Sequence, residues 1–114
     1  MQAINVSTED GITTIALNNG KVNAISPQAI SEINAALDEA EKTESVVIIT
    51  GQAGMFSAGY DLKTMKESPE AAIALVTAGS TLARRMLAFP FPIIAACSGH
   101  AVGKGGFLLL SSDY

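Results

Sequence analysis

Apolar and polar side chains alternate from Ala3 to Ser7, the two-residue period of a strand with one exposed face. Asp10-Gly11 then marks a tight turn, and the run over 12–17 predicts the returning strand, so the chain opens on a hairpin that Asn18-Asn19-Gly20 ends. After an extended linker, Lys21 to Ile25, the period changes to that of a helix. Ser26 is placed to cap it, Pro27 suits its first position, and Ile30, Ile33, Leu37 and Ala40 mark its inner face to about residue 41. Glu32, Asp38, Glu39 and Glu41 fall on the other face and read as a solvated surface. Val46 to Thr50 is unbroken apolar and β-branched sequence, which predicts a strand covered on both faces, as in a parallel sheet.

Ser68-Pro69 repeats the cap-then-proline start and predicts a long helix over about 71–88, with Ile73, Val76, Ala83, Met86 and Leu87 inward. Phe89-Pro90-Phe91-Pro92 stops it. A buried strand over 93–98 and a helix over 104–112 complete the order β-β-α-β-(α)-α-β-α, an α/β pattern in one domain, 1–114. The chain stops straight after an apolar helical run, without a turn or cap, so the fold is expected to be truncated at that end.

Two glycine-rich segments interrupt this pattern. Gly51 to Leu62 carries Gly51, Gly54 and Gly59 between an apolar strand and a short helical stretch over 62–66. Gly99 to Gly106 repeats the arrangement before the last helix. Such junctions let backbone approach a ligand and present free N–H groups to negative charge. Two of them in one small chain are expected to aim two N–H donors at one oxygen.

Composition narrows the partners. A net charge of −4 argues against nucleic acid, and Arg84-Arg85 is too small a basic patch. No apolar stretch approaches the ~20 residues of a membrane-spanning helix, and the N-terminus lacks a signal-peptide pattern. A single cysteine, Cys97, excludes an internal disulfide and fits a cytoplasmic protein; at the end of an apolar run it reads as a small core residue.

The side chains offer little reactive chemistry. Gly99-His-Ala-Val-Gly103-Lys104-Gly105 departs from a phosphate-binding loop in its spacing and lacks the Ser or Thr after the lysine. Neither Ser57 nor Ser98 lies in a nucleophile elbow. His100 borders the second glycine segment, as an active-site group or as a hydrogen-bonded structural one. No second His or Cys stands at metal-ligand spacing. Asp61 reads first as a helix cap. Lys104 reads as an anion contact or as a solvated lysine at a helix start.

Gly54-Met-Phe-Ser-Ala-Gly-Tyr-Asp-Leu62 and Pro92-Ile-Ile-Ala-Ala-Cys-Ser-Gly-His-Ala-Val-Gly103 resemble the crotonase superfamily, the enoyl-CoA hydratase/isomerase family. Lys21-Val-Asn-Ala-Ile25 is similar too, so the resemblance runs along the whole chain as the N-terminal part of such a protein. It implies a crotonase-like (ClpP/crotonase) spiral of β-β-α units, assembled as a homotrimer or hexamer. It also implies an acyl-CoA thioester as substrate, with CoA as part of it, no separate cofactor and no metal. Two backbone N–H groups would hold the thioester oxygen as enolate charge builds. By position these are the amides of Tyr60 and Lys104, or Gly105 in place of Lys104 if the match shifts by one. Backbone at Val22, Ala24, Ala58, Gly59, Asp61, Leu62 and Gly103 would contact the CoA thioester.

The resemblance has one departure. Hydratases of this family carry a glutamate where this chain has Phe107, and phenylalanine can neither give nor take a proton. Isomerases of the family lack that glutamate and use a single acid further along. The expected function is therefore acyl-CoA processing by enolate stabilisation. Its rivals are a double-bond isomerase with its acid downstream, a catalytically silent acyl-CoA binder and, last, a nucleotide-binding module.

Overall fold

The computed structural model describes residues 2–114, with the backbone alone for Phe107. In chain order the elements are β1 (Ile4–Glu9), β2 (Ile12–Leu17), α1 (Pro27–Lys42), β3 (Val46–Thr50), β4 (Gly54–Ser57), α2 (Leu62–Glu67), α3 (Pro69–Leu87), β5 (Ile93–Ala96), β6 (Gly99–Ala101) and α4 (Lys104–Leu110). They group as successive strand–strand–helix units: β1-β2-α1, β3-β4-α2-α3 and β5-β6-α4.

The hairpin forms because Asp10 and Gly11 both take positive φ, 51° and 76°, as a two-residue turn between twisted strands requires. Ile4 then faces Leu17, and Glu9 faces Ile12. Ser26 Oγ accepts the Ala29 amide at 3.1 Å and starts α1 behind Pro27. Helix α1 buries Ile30, Ile33, Leu37 and Ala40, together with Ala29 and Ala36. On its outer face Asp38, Glu39 and Glu41 are exposed as the sequence suggests, and Glu32 is half-buried. The Glu32 carboxylate accepts the Ala3 and Ile4 amides at 2.9 and 3.2 Å, and Asp38 pairs with Arg85 of α3 at 2.6 Å.

The main sheet has the order β1-β2-β3-β5, with β1 antiparallel to β2 and the other pairs parallel. Strands β3 and β5 depart from the expectation of burial on both faces. Val47 and Ile49 are buried, whereas Val46, Ile48 and Thr50 are half-buried, and β5 buries Ile93 but not Ile94 or Ala95. Helix α1 packs against β1, β2 and β3 and against α3.

Helix α3 differs from its predicted orientation. Its buried stripe is Leu75, Gly79, Leu82 and Met86, while Ala83 is half-buried. Ile73 (67%), Val76 (40%) and Leu87 (66%) are exposed. Gly79 explains the rotation: a Cβ there would collide with the Tyr60 ring and hydroxyl, so the helix turns its side-chain-free point towards that ring.

A second, two-stranded sheet lies inside the two glycine-rich segments, which the sequence reads as loops. Strands β4 and β6 pair in parallel: Gly54 with Gly99, Met55 with His100, and Ser57 with Ala101, with a bulge between Met55 and Ser57.

Candidate active site

The parallel pairing explains why the two glycine segments meet. Strands β3 and β5 are neighbours, β4 follows β3, β6 follows β5, and β4 pairs with β6. The chain leaving β4 therefore runs beside the chain leaving β6. Gly59 lies at φ 103°, a conformation side chains rarely adopt. A methyl group built on Gly59 would stand 3.0 Å from the Val102 carbonyl oxygen and 3.3 Å from the Lys104 nitrogen. Glycine is needed there both for the backbone angle and for the close approach.

Most amides around these bends are occupied. Ala58 N–H donates to Val22 O at 2.9 Å, Gly59 N–H to Ser57 Oγ at 3.1 Å and Asp61 N–H to Ile25 O at 2.8 Å. Ile25 N–H in turn donates to Gly59 O at 2.8 Å, so Tyr60 is bridged to Ile25 in parallel fashion. In that pattern the bonds to Ile25 come from the residues flanking Tyr60, and its own N–H faces away from Ile25. On the other bend, Val102 N–H donates to Ser57 O at 2.9 Å and Gly105 N–H to Val102 O at 3.0 Å. Lys104 opens α4, where an amide has no intrahelical acceptor. Among the described residues, the Tyr60 and Lys104 amides have no acceptor.

Side chains close the site from one side. A cleft of about 540 Å³ is lined by Tyr60, Val76, Ser80, Ala83, Gly103, Lys104 and Ser111. Lys104 is only 7% exposed and is not the solvated lysine that was one reading of the sequence. Its Nζ lies 5.8 Å from the Tyr60 ring centroid. Burial holds the Lys104 ammonium below its ordinary pKa and raises the Tyr60 phenol. A second cavity, of about 580 Å³, opens between α1, α2 and α3, and neither Tyr60 nor Lys104 lines it.

The other sequence-predicted residues separate by role. Asp61 caps α2, its Oδ2 accepting from Thr64 N at 3.2 Å and Thr64 Oγ1 at 2.6 Å. Val22 (48%) and Leu62 (67%) are exposed, as is Ala58, while Ala24 is half-buried and donates its amide to Asn19 O. Gly103, at φ 56°, makes the bend into α4. His100 is exposed on β6, outside the cleft, with no side-chain hydrogen bond among the described residues. Cys97 is exposed rather than a core residue, its Sγ donating to Gly99 O at 3.1 Å, because β5 ends before it. The Phe107 side chain, on which the departure from the hydratase pattern turns, lies outside the described residues.

Asn23 and Ser57 were missed as positioning residues. Asn23 is fully buried at φ 54°, and its Nδ2 donates to Leu17 O at 2.8 Å and Phe56 O at 2.9 Å. Its Oδ1 accepts from Asn19 N at 2.7 Å and Gln52 Nε2 at 3.2 Å. Ser57 Oγ donates to Asn23 O at 2.8 Å, which ties the linker to the first bend. The available signal was an asparagine between apolar residues, since asparagine is enriched at positive φ.

Among the described residues no three His, Cys, Asp or Glu side chains group as metal ligands, and no helix is long and apolar enough to cross a membrane. The family model for enoyl-CoA hydratase/isomerase matches residues 7–114. A probable enoyl-CoA hydratase of Bacillus subtilis is 35% identical over 92% of this chain and 42% of its own length. The peroxisomal enoyl-CoA delta isomerase 1 of Arabidopsis thaliana is 33% identical over 74% of this chain and 35% of its own. The crystal structure of an enoyl-CoA hydratase/isomerase family protein from Pseudomonas syringae superposes with a TM-score of 0.97 at 64% identity, covering 98% of this chain and 49% of that one. The chain thus spans about half or less of the proteins it matches.

Proposed function

The chain belongs to the enoyl-CoA hydratase/isomerase family, and on that premise we propose that it binds an acyl-CoA thioester and stabilises its enolate with the main-chain N–H groups of Tyr60 and Lys104. The observation that carries this reading is the meeting of the two bends, with the Lys104 nitrogen 3.3 Å from where a Cβ on Gly59 would stand. Removing a proton next to the thioester carbonyl puts negative charge on its oxygen. Fixed donors aimed at that oxygen are worth roughly 3–4 kcal/mol each in the transition state. Lys104 is favoured over Gly105 as the second donor because the Gly105 amide already bonds Val102 O. In this proposal the backbone at Val22, Ala24, Ala58, Gly59, Asp61, Leu62 and Gly103 contacts the CoA thioester.

Proton transfer needs an acid or base, and Phe107 is neither. We therefore place double-bond migration ahead of hydration, the proton being carried by a group beyond residue 114. A catalytically silent acyl-CoA binder is the second reading, favoured by the same phenylalanine. The active assembly in this proposal is a cytoplasmic homotrimer or hexamer needing no separate cofactor, and exposed Ile73, Val76 and Leu87 supply apolar surface for association.

The test is a panel of 2-enoyl- and 3-enoyl-CoA thioesters, scored separately for hydration and for double-bond migration. Migration without hydration is the expected result. Hydration of a 2-enoyl-CoA at an ordinary enzymatic rate would overturn the weight on Phe107. Binding without turnover would select the silent binder.

A further inference from the structure

We infer that Lys104 reads a carboxylate on the acyl group, so that the preferred ligand is a short dicarboxylic acyl-CoA. This deepens the acyl-CoA reading above and rests on it. Lys104 is 7% exposed as a residue, and no carboxylate lies within ion-pair distance of it among the described residues, where the ion pairs are Lys42–Glu39 and Arg85–Asp38. Its described partner is the face of the Tyr60 ring, 5.8 Å from Nζ to the centroid. A buried ammonium without an anion is costly, and burial accordingly lowers its pKa. Such a charge is best explained by an anion that arrives with the ligand.

The walls of the cleft fit that ligand. Val76, Ala83, Gly103 and the Tyr60 ring offer apolar surface, with the polar side chains Ser80 and Ser111 beside the single cation. Methylene groups suit the apolar walls and a terminal carboxylate suits the ammonium. The backbone N–H of this same residue is assigned to the thioester oxygen. The two ends of the acyl group are then recognised within one lysine side-chain length, which limits the acyl group to a short one. An ammonium serving only the enolate oxygen would not distinguish acids that differ at the far end.

The probes are butyryl-CoA and glutaryl-CoA, which differ by one terminal carboxylate and carry no reactive double bond. Calorimetric titration of the full chain should give glutaryl-CoA a Kd about tenfold or more below that of butyryl-CoA. The ratio should fall to near one in Lys104→Met and be kept in Lys104→Arg. Equal affinities in the unsubstituted protein overturn the inference and leave the acyl-CoA reading standing. A preference that survives Lys104→Met also overturns it. Binding of neither thioester overturns the acyl-CoA reading and this inference with it. The unsubstituted ratio needs no variant, so a substitution that fails to fold does not block the test.

Discussion

Asn23 satisfies more of its surroundings than any single reactive group in this site could. Its amide bonds Leu17 O, Phe56 O, Asn19 N and Gln52 Nε2, and its backbone occupies a left-handed angle. Asn23→Ala strands buried partners and places alanine at positive φ. We expect a loss of about 3 kcal/mol or more in chemical denaturation. Asn23→Asp should be no milder, because a carboxylate cannot donate to the Leu17 and Phe56 carbonyls; a milder aspartate would sink the assignment. Gly59→Val acts on the ligand side of the same bend. Its Cβ would press on the Val102 carbonyl and the Lys104 nitrogen, both main-chain atoms. Affinity for an acyl-CoA thioester should fall by about tenfold or more, and unchanged calorimetric affinity would remove Gly59 from the site.

Between elements, one tight seam is where α4 meets β4. A Cβ on Gly105 would collide with the Ser57 carbonyl oxygen. Alanine for glycine inside a helix usually stabilises by about 1 kcal/mol. Here we expect Gly105→Ala to lower the thermal midpoint instead; a rise would mean that α4 can back away from the strand. Glu32 makes a second seam, between α1 and the start of β1. Burial pushes its carboxyl up, but bonds from Gln28 and from the Ala3 and Ile4 amides outweigh that and leave the pKa lowered. A lowered carboxylate pKa contributes stability that is present above the ordinary value of about 4.5 and lost as pH falls through the folded value. The stability difference between the unsubstituted protein and Glu32→Gln, measured by denaturation, should be largest near neutral pH and shrink on acidification.

The sequence made some of these elements legible and not others. The hairpin, the Ser26-Pro27 and Ser68-Pro69 helix starts, and β3 rest on local signals: turn residues, caps and periodicity. Strands β4 and β6 escaped because Gly-Met-Phe-Ser and Gly-His-Ala are too short to show a period and hold to each other rather than to neighbours in sequence. Helix α3 carries two apolar stripes, and only the distant Tyr60 ring selects the one through Gly79. The nearness of the Gly59 and Lys104 bends was legible in the repeated strand–glycine–helix pattern. The buried ammonium and the Asn23 hub were not: Tyr60 lies far from Lys104 along the chain, and Gln52 and Phe56 lie far from Asn23.

Taken as a whole, the molecule extends 42 × 27 × 27 Å and leaves Ile73, Val76 and Leu87 exposed along one helix. Isolated exposed apolar residues are ordinary, but three aligned on α3 mark surface that can associate. We expect sedimentation to detect assemblies larger than the single chain, weakened in the double variant Ile73→Lys, Leu87→Lys. A monomer at every concentration would contradict this. The bulge in the small sheet carries a wider consequence. It puts Ser57, not Phe56, opposite Ala101, and Tyr60 and Lys104 then each lie three residues past that rung (57 to 60, 101 to 104). In the proposed site this register would set how the two amides stand to each other, so one inserted or deleted residue between 55 and 57 is expected to shift Tyr60 against Lys104 without touching either.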